Sequence, residues 1–304
     1  MTSIVFKRKG PEEDPGEFGS PVILALDTAD LDLALDWAEL AAPAIGMVKV
    51  GFELFCAHGA GAVRALRGEG HRVMLDLKLH DIPVTVGRAV EAAAELDVRM
   101  VTVHAAGGRA MLEAAVEAAA GRVDVAAVTV LTSLSPPDLA GLGLGDAAAT
   151  AERLARLAVL AGCPALVCSP LEARRLRAAT GPAASRASGS PASPASGSPA
   201  SPATGSPASR ASGGGASPAS GGAVSRASGG GASRASGQRV QLVCPGVRLD
   251  TGGQGGPDDQ ARVATPAEAV RAGADWLVVG RPITRAPDPA AAARAVRDEA
   301  VAAR

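Results

Sequence analysis

The sequence predicts an α/β fold: a (β/α)8 TIM barrel interrupted by a disordered low-complexity insertion between helix six and strand seven. Three observations lead there. Eight short apolar runs recur along the chain, separated by Ala-, Leu- and Glu-rich stretches with helical spacing. Strands that alternate with helices imply a parallel sheet, and eight such units imply closure. Residues 182–237 contain almost only Ala, Ser, Gly and Pro, and setting those 56 of 304 residues aside leaves 248. That remainder is close to the ~250 residues of a typical barrel of this type.

Residues 1–19 begin with a short apolar trio, then turn to Lys7, Arg8, Lys9 and an acidic Pro/Gly stretch. They read as a flexible segment ahead of a catalytic domain spanning 20–304, and they lack the apolar core of a signal peptide. Strands are expected at 22–26, 46–50, 72–77, 99–103, 124–131, 165–168, 240–244 and 275–279. Helical spacing is clearest over 84–97, 108–120, 148–161 and 287–302. Segment 182–237 carries four Arg and no acid. It cannot bury enough apolar surface to offset its ordering entropy, so disorder is expected. It is read as a tolerated loop expansion rather than a protein-binding arm or phosphorylated linker. A helix-to-strand connection lies on the face of a barrel opposite the catalytic one.

Composition excludes several classes. The hydrophobic fraction of 47% supports a sizeable core, and no run is long enough to span a bilayer. A net charge of -1 provides no global field for nucleic acid or a membrane surface. Aromatics are 2% with no Tyr, which disfavours base-stacking platforms. The four cysteines, Cys56, Cys163, Cys168 and Cys244, form no CxxC pair and sit in or beside apolar runs. They read as buried free thiols of a cytoplasmic protein.

The chemistry concentrates at the ends of the strands, where barrels of this kind place catalytic groups. The densest stretch is Asp76-Leu77-Lys78-Leu79-His80-Asp81-Ile82-Pro83-Val84-Thr85, directly after Val73-Met74-Leu75. Residues two apart on a strand share a face, so Asp76 and Lys78 project together. Such charges are costly at a buried strand end unless they pair or do chemistry. The plainer reading is a solvated ion pair. The other strand ends offer Asp27-Thr28, Lys49, His104, Thr132-Ser133, Ser169, Arg248 and Gly280-Arg281. Arg248 and Arg281 follow strands seven and eight, the loops that often hold phosphate. A guanidinium fork suits phosphate because it binds two oxygens at once. Asp27, Asp76 and Asp81 could hold Mg²⁺, but two lysines compete for them. His80 and His104 read as hydrogen-bonded structural groups, and Gly107-Gly108 as a strand-to-helix turn.

The string Leu75-Asp76-Leu77-Lys78-Leu79-His80-Asp81-Ile82-Pro83 resembles the signature of the orotidine 5′-phosphate decarboxylase family. So do Ala25-Leu26-Asp27, Val48-Lys49-Val50-Gly51, Val103-His104-Ala105-Ala106-Gly107-Gly108, Val128-Thr129-Val130-Leu131-Thr132-Ser133, Pro245-Gly246-Val247-Arg248 and Val279-Gly280-Arg281-Pro282-Ile283-Thr284. These run in family order over about residues 20–300, the insertion excluded. The resemblance implies decarboxylation of orotidine 5′-phosphate to UMP without a cofactor or metal, the last step of de novo pyrimidine synthesis. It implies Lys78, Asp76, Asp81 and Lys49 as the catalytic set. It implies a homodimer in which Asp81 and Thr85 reach the neighbouring site. By the same resemblance Asp27 and Lys49 contact the ribose, Thr132 and Ser133 lie near the base, and Gln260, Gly280 and Arg281 join Arg248 around the phosphate. The insertion departs from the family pattern, as does the glycine-rich stretch 252–256 ahead of Gln260. Two rivals remain: a Mg²⁺-dependent sugar-phosphate decarboxylase or aldolase sharing the Asp-x-Lys-x-x-Asp strand, and a non-enzymatic barrel that displays the Ser/Pro/Ala arm.

Overall fold

The computed structural model describes residues 20–181, 239–249 and 263–304. The expected flexible segment 1–19, the expected disordered insertion 182–237 and Gln260 lie outside the described residues. The chain runs β1 (Val22–Ala25), α1 (Leu31–Ala41), β2 (Met47–Val50), α2 (Phe52–His58), α3 (Ala60–Gly68), β3 (Val73–Leu79), α4 (Pro83–Glu95) and β4 (Met100–His104). It continues through α5 (Arg109–Ala119), β5 (Asp124–Val128), α6 (Pro136–Gly141), α7 (Ala147–Leu160), β6 (Ala165–Val167) and α8 (Pro170–Thr180). The last elements are β7 (Gln241–Pro245), α9 (Pro266–Arg271), β8 (Trp276–Val279), α10 (Arg281–Thr284) and α11 (Pro289–Ala302). The eight strands form a closed barrel in sequence order. Parallel pairing of β1 with both β2 and β8 completes the circle. The barrel predicted from the apolar runs is therefore the fold. The helix counted as the sixth is α8, so segment 182–237 does fall between that helix and β7 in the chain.

Strand side chains divide between two cores, because successive residues face opposite sides. Val22 and Leu24 pack outward against the helices, while Ile23 and Ala25 point into the barrel. The interior is filled by Met47, Met74, Met100, Val243 and Trp276 among others. Burial on both faces makes these strands continuous apolar runs rather than alternating ones, which is why they were legible. The helices start where side chains satisfy their free N–H groups. Asp30, Asp146 and Asp288 each accept such a bond, and Ser135, Ser169 and Thr265 form reciprocal capping boxes.

Several expectations need correction. β5 stops at Val128 rather than 131, because the chain turns there: the Thr129 hydroxyl bonds to the Val167 carbonyl and Leu134 N–H to Leu131 O. β3 reaches Leu79 because the strand bulges. Its register with β4 shifts between Leu75 and Leu79, and Lys78 takes a positive φ of 43°. Ser169 is the buried N-cap of α8, not a group at the catalytic mouth. Three thiols are buried, but Cys56 is exposed on α2.

At the face away from the catalytic strand ends, one carboxylate joins the two sides of the insertion. Asp275, just before β8, is 7% exposed. It pairs with Arg177 from the end of α8 and with Arg239, just ahead of β7. It also accepts the Leu242 N–H at 2.7 Å. Arg177 donates in addition to the carbonyls of Val240 and Gly273. The geometry of the barrel is thus held across α8, β7 and β8 by contacts among described residues.

Candidate active site

The in-and-out alternation that fills the barrel also builds the site. Continuing each inward row by two residues leads from Ala25 to Asp27, from Met47 to Lys49, from Met74 to Asp76 and from Met100 to Thr102. Apolar side chains plug the interior, and polar ones cap it at the C-terminal strand ends. A cavity of about 620 Å³ opens there, lined by Asp27, Lys49, Asp76, Lys78, Thr132, Arg248, Gly280 and Arg281 together with apolar groups such as Met74, Val128 and Val167. That volume suits a small-molecule ligand.

The charged groups form one chain of alternating sign. Lys49 Nζ lies 2.9 Å from Asp27 Oδ1 and 3.6 Å from Asp76 Oδ2. Lys78 Nζ lies 2.9 Å from both Asp76 oxygens. Lys49 and Asp76 are each 8% exposed, whereas the Asp27 side chain remains 61% exposed. Burial alone would lower the Lys49 pKa, but the carboxylates of Asp76 and Asp27 outweigh it and hold the ammonium above its ordinary value. Burial alone would raise the Asp76 pKa. The charges of Lys49 and Lys78 and the bonds from Lys78 and Thr102 outweigh it, so the carboxyl sits below the usual range. Both groups are therefore ionised at neutral pH. A buried charge costs heavily unless paired, and here each is.

The bulge in β3 brings Lys78 onto Asp76. A regular strand would suffice to place both on one face, but the register shift also turns the Lys78 N–H onto Thr102 Oγ1, at 2.8 Å. The Thr102 hydroxyl donates to Asp76 Oδ1 at 2.9 Å. Thr102 is fully buried. A left-handed φ costs a non-glycine residue about 1–3 kcal/mol and persists only where its surroundings enforce it. The face of Phe52 lies 5.9 Å from the Lys78 ammonium, within range of a cation–π contact. Gly51 leaves room for the array. A Cβ there would lie 2.9 Å from Lys49 Nζ and 3.4 Å from Asp27 Oδ1.

Other expected residues fall less uniformly. Thr132 lines the cavity, whereas Ser133 beside it does not. Asp81 and Thr85 are exposed and lie outside the cavity lining. Asp81 Oδ1 accepts the Ile82 N–H at 2.6 Å. Exposed Ile82 and Val84 stand beside them. The His80 and His104 rings pack at a 40° tilt with centroids 5.4 Å apart. Burial, with the neighbouring charges of His80 and Lys78, lowers the His104 pKa, so its ring is neutral at pH 7. Among the described residues, no group of three His, Cys, Asp or Glu is arranged to hold a metal ion.

Three groups were missed from sequence. Thr102 looks like any β-branched strand residue, although its place two after Met100 in an inward row would have revealed it. Glu53 and Arg285 also line the cavity, but they belong to α2 and the end of α10, beyond the strand ends. Among the described lining residues, three acids (Asp27, Glu53, Asp76) face five bases (Lys49, Lys78, Arg248, Arg281, Arg285). Those described residues carry two more positive than negative charges, on a chain whose net charge is -1. A concave site with such a surplus concentrates anions.

Comparison with known proteins agrees with this geometry. The chain is 44% identical over 276 residues to an orotidine 5′-phosphate decarboxylase of Anaeromyxobacter sp. (strain K), covering 90% of this chain and 96% of that protein. It is 42% identical over 282 residues to the enzyme of the same name from Thermobifida fusca (strain YX), covering 92% and 95%. The crystal structure of orotidine 5′-phosphate decarboxylase from Lactobacillus acidophilus superposes with a TM-score of 0.64 at 28% identity, over 92% of this chain and 99% of that one. The model of the orotidine 5′-phosphate decarboxylase / HUMPS family matches residues 20–192 and 209–296. With the fold, the strand-end charges and these likenesses in agreement, the chain belongs to the orotidine 5′-phosphate decarboxylase / HUMPS family.

Proposed function

We propose that this protein decarboxylates orotidine 5′-phosphate to UMP, as a carboxy-lyase of pyrimidine biosynthesis. The observation that carries the reading is the Asp27–Lys49–Asp76–Lys78 array, buried at Lys49 and Asp76, which opens into a cavity that also holds Arg248, Arg281 and Arg285.

The reaction breaks the bond between C6 of the pyrimidine and its carboxylate carbon. CO₂ leaves and the electron pair stays on C6. No carbonyl is placed to delocalise that pair, so the site must hold a cation where the charge develops. Lys78 is suited to this. It then donates its proton to C6 as general acid and recovers one from water. Asp76 faces the substrate carboxylate in this scheme. Two like charges at ~4 Å repel by about 4 kcal/mol at an effective dielectric near 20, and departure of CO₂ removes the repulsion. Because Lys49 and Lys78 keep Asp76 ionised, the repulsion is present at neutral pH. Asp27 and Lys49 hold the ribose in this scheme, Thr132 the base, and Gly280, Arg281, Arg248 and Gln260 the phosphate, while Ser133 supports Thr132 from outside the cavity wall. Binding energy gathered at the remote phosphate orients the base over Lys78.

The same reading makes the working unit a homodimer with shared sites in the cytoplasm. Asp81 and Thr85 sit on an exposed shoulder with Ile82 and Val84. Exposed apolar groups of this size beside a catalytic mouth suit a contact with a second copy. Asp81 would enter the neighbour's site and support its lysine.

The rival is a Mg²⁺-dependent sugar-phosphate decarboxylase or aldolase, for which a divalent metal would have to displace ammonium groups from Asp27 and Asp76. The test is loss of orotidine 5′-phosphate absorbance with purified protein in excess EDTA. Turnover that persists after exhaustive chelation supports the decarboxylase. Absence of turnover, or turnover that needs added Mg²⁺, refutes it.

A further inference from the structure

Arg281 opens α10 and Arg285 closes it. The Arg285 N–H bonds to the Arg281 carbonyl at 3.0 Å, so the two residues sit one helical turn apart. Side chains four apart on a helix are neighbours, and two cations in that relation repel unless an anion lies between them. Both line the cavity. Arg285 is exposed, and its guanidinium makes no ion pair or side-chain hydrogen bond among the described residues. In the reaction-centre array, by contrast, the Lys49 and Lys78 ammonium groups are paired with the carboxylates of Asp27 and Asp76. Among the described lining residues, the charges outside that array are those of Glu53, Arg248, Arg281 and Arg285.

We propose that Arg285 is a second phosphate arm of this site, gripping the substrate's dianionic phosphate together with Arg281. The proposal rests on the function proposed above. Arg281 reads the phosphate at the floor of the cavity, next to Gly280 and the end of β8. Arg285, one turn later and more exposed, holds the outer oxygens. Two guanidinium forks can then share one tetrahedral anion, each bonding a different pair of oxygens. A contact of this kind strengthens association and makes it salt-dependent. It should act mainly on affinity, because in this scheme Arg285 bonds the phosphate, which is remote from C6.

The test compares wild type, Arg285→Gln and Arg285→Lys, with orotidine 5′-phosphate as substrate over a range of NaCl concentrations. Arg285→Gln should raise KM about five- to ten-fold, with any fall in kcat the smaller part of the loss. It should also flatten the rise of KM with salt, and inorganic phosphate should compete less well. Arg285→Lys, which keeps the charge but not the fork, should fall between the two. An Arg285→Gln protein whose KM lies within two-fold of wild type, with the same salt dependence, would overturn the proposal. So would a loss confined to kcat. If wild type itself fails to turn over orotidine 5′-phosphate, the fault lies in the function proposed above and not in Arg285.

Discussion

Replacing Thr102 by Val should separate the geometry of the lysine from its mere presence. The two side chains have nearly the same shape, so packing in the barrel is preserved while the hydroxyl is lost. The hydroxyl makes two bonds. It donates to Asp76 Oδ1 at 2.9 Å and accepts the Lys78 N–H at 2.8 Å. A hydrogen bond to a charged group contributes about 1.5–3 kcal/mol, and a buried N–H left without a partner costs about 1–3 kcal/mol. These terms overlap, because both act on the same bulge, and the combined loss should be about 2–4 kcal/mol. Part of it should appear as lower stability and part as misplacement of Asp76 and Lys78. Since ~1.4 kcal/mol corresponds to a factor of ten in rate, kcat should fall ten- to hundred-fold.

The sign of the pH effect follows from Asp76. Its folded pKa lies below its unfolded value, so it contributes stability above pH ~4 that is lost as pH falls through the folded pKa. Removing the Thr102 bond moves the folded pKa back up, so acid unfolding should begin at higher pH. Steady-state kinetics and acid titration by circular dichroism read both effects. Thr102→Ser restores the hydroxyl and should recover most of kcat. A Thr102→Val enzyme with undiminished kcat, or a Ser variant as impaired as the Val variant, would refute the positioning role.

Four further outcomes are expected. Lys78→Ala should nearly abolish turnover with fold intact, and more than about a tenth of wild-type kcat would be incompatible with a general acid that contributes 10²- to 10⁴-fold. Arg281→Ala should weaken binding of orotidine 5′-phosphate far more than of orotidine, and equal losses would show that it does not contact the phosphate. Lys78→Ala and Asp81→Ala proteins, each inactive, should regain activity when mixed and re-equilibrated, because one site of the heterodimer keeps both groups; a mixture that stays dead contradicts the shared site. Asp275→Ala should leave KM unchanged but remove the ion-pair partner of the largely buried Arg177, with a loss of about 3 kcal/mol and a drop in Tm of roughly 10 °C; an unchanged Tm would mean that the clamp carries no stability.

The barrel was legible because its strands are buried on both faces and so appear as unbroken apolar runs. Val22–Ala25 and Trp276–Val279 are buried at every position. The bulge in β3 was not legible, since the register shift at Leu75–Leu79 arises from pairing with β4 and leaves no mark in the pattern of residues. α10 was missed because a four-residue helix has no periodicity to detect, and Arg285 was missed with it. At the site, charge was the signal. Lysines and aspartates just after apolar runs stand out, which is how Asp27, Lys49, Asp76 and Lys78 were found. Thr102 carries no charge and is common in strands, so only the inward register of Met100 marks it. Ser169 shows the opposite error: a polar residue at a strand end that serves as the cap of the next helix.

The distribution of charge in the cavity assigns different tasks to its two ends. The array of Asp27, Lys49, Asp76 and Lys78 balances two acids with two bases, and this balance makes its burial tolerable. It also means that this end offers an incoming carboxylate no net attraction. With Asp76 held ionised, the nearest charge to that carboxylate is repulsive in the proposed binding mode. Binding must therefore be driven from the other end, where Arg248, Arg281 and Arg285 face the same cavity. A substrate without phosphate would lose most of its affinity and, with it, the force that presses its carboxylate against Asp76. In the proposed binding mode the phosphate thus contributes to the chemical step although it takes no part in it, because only interactions remote from C6 can hold the reacting group in an unfavourable field.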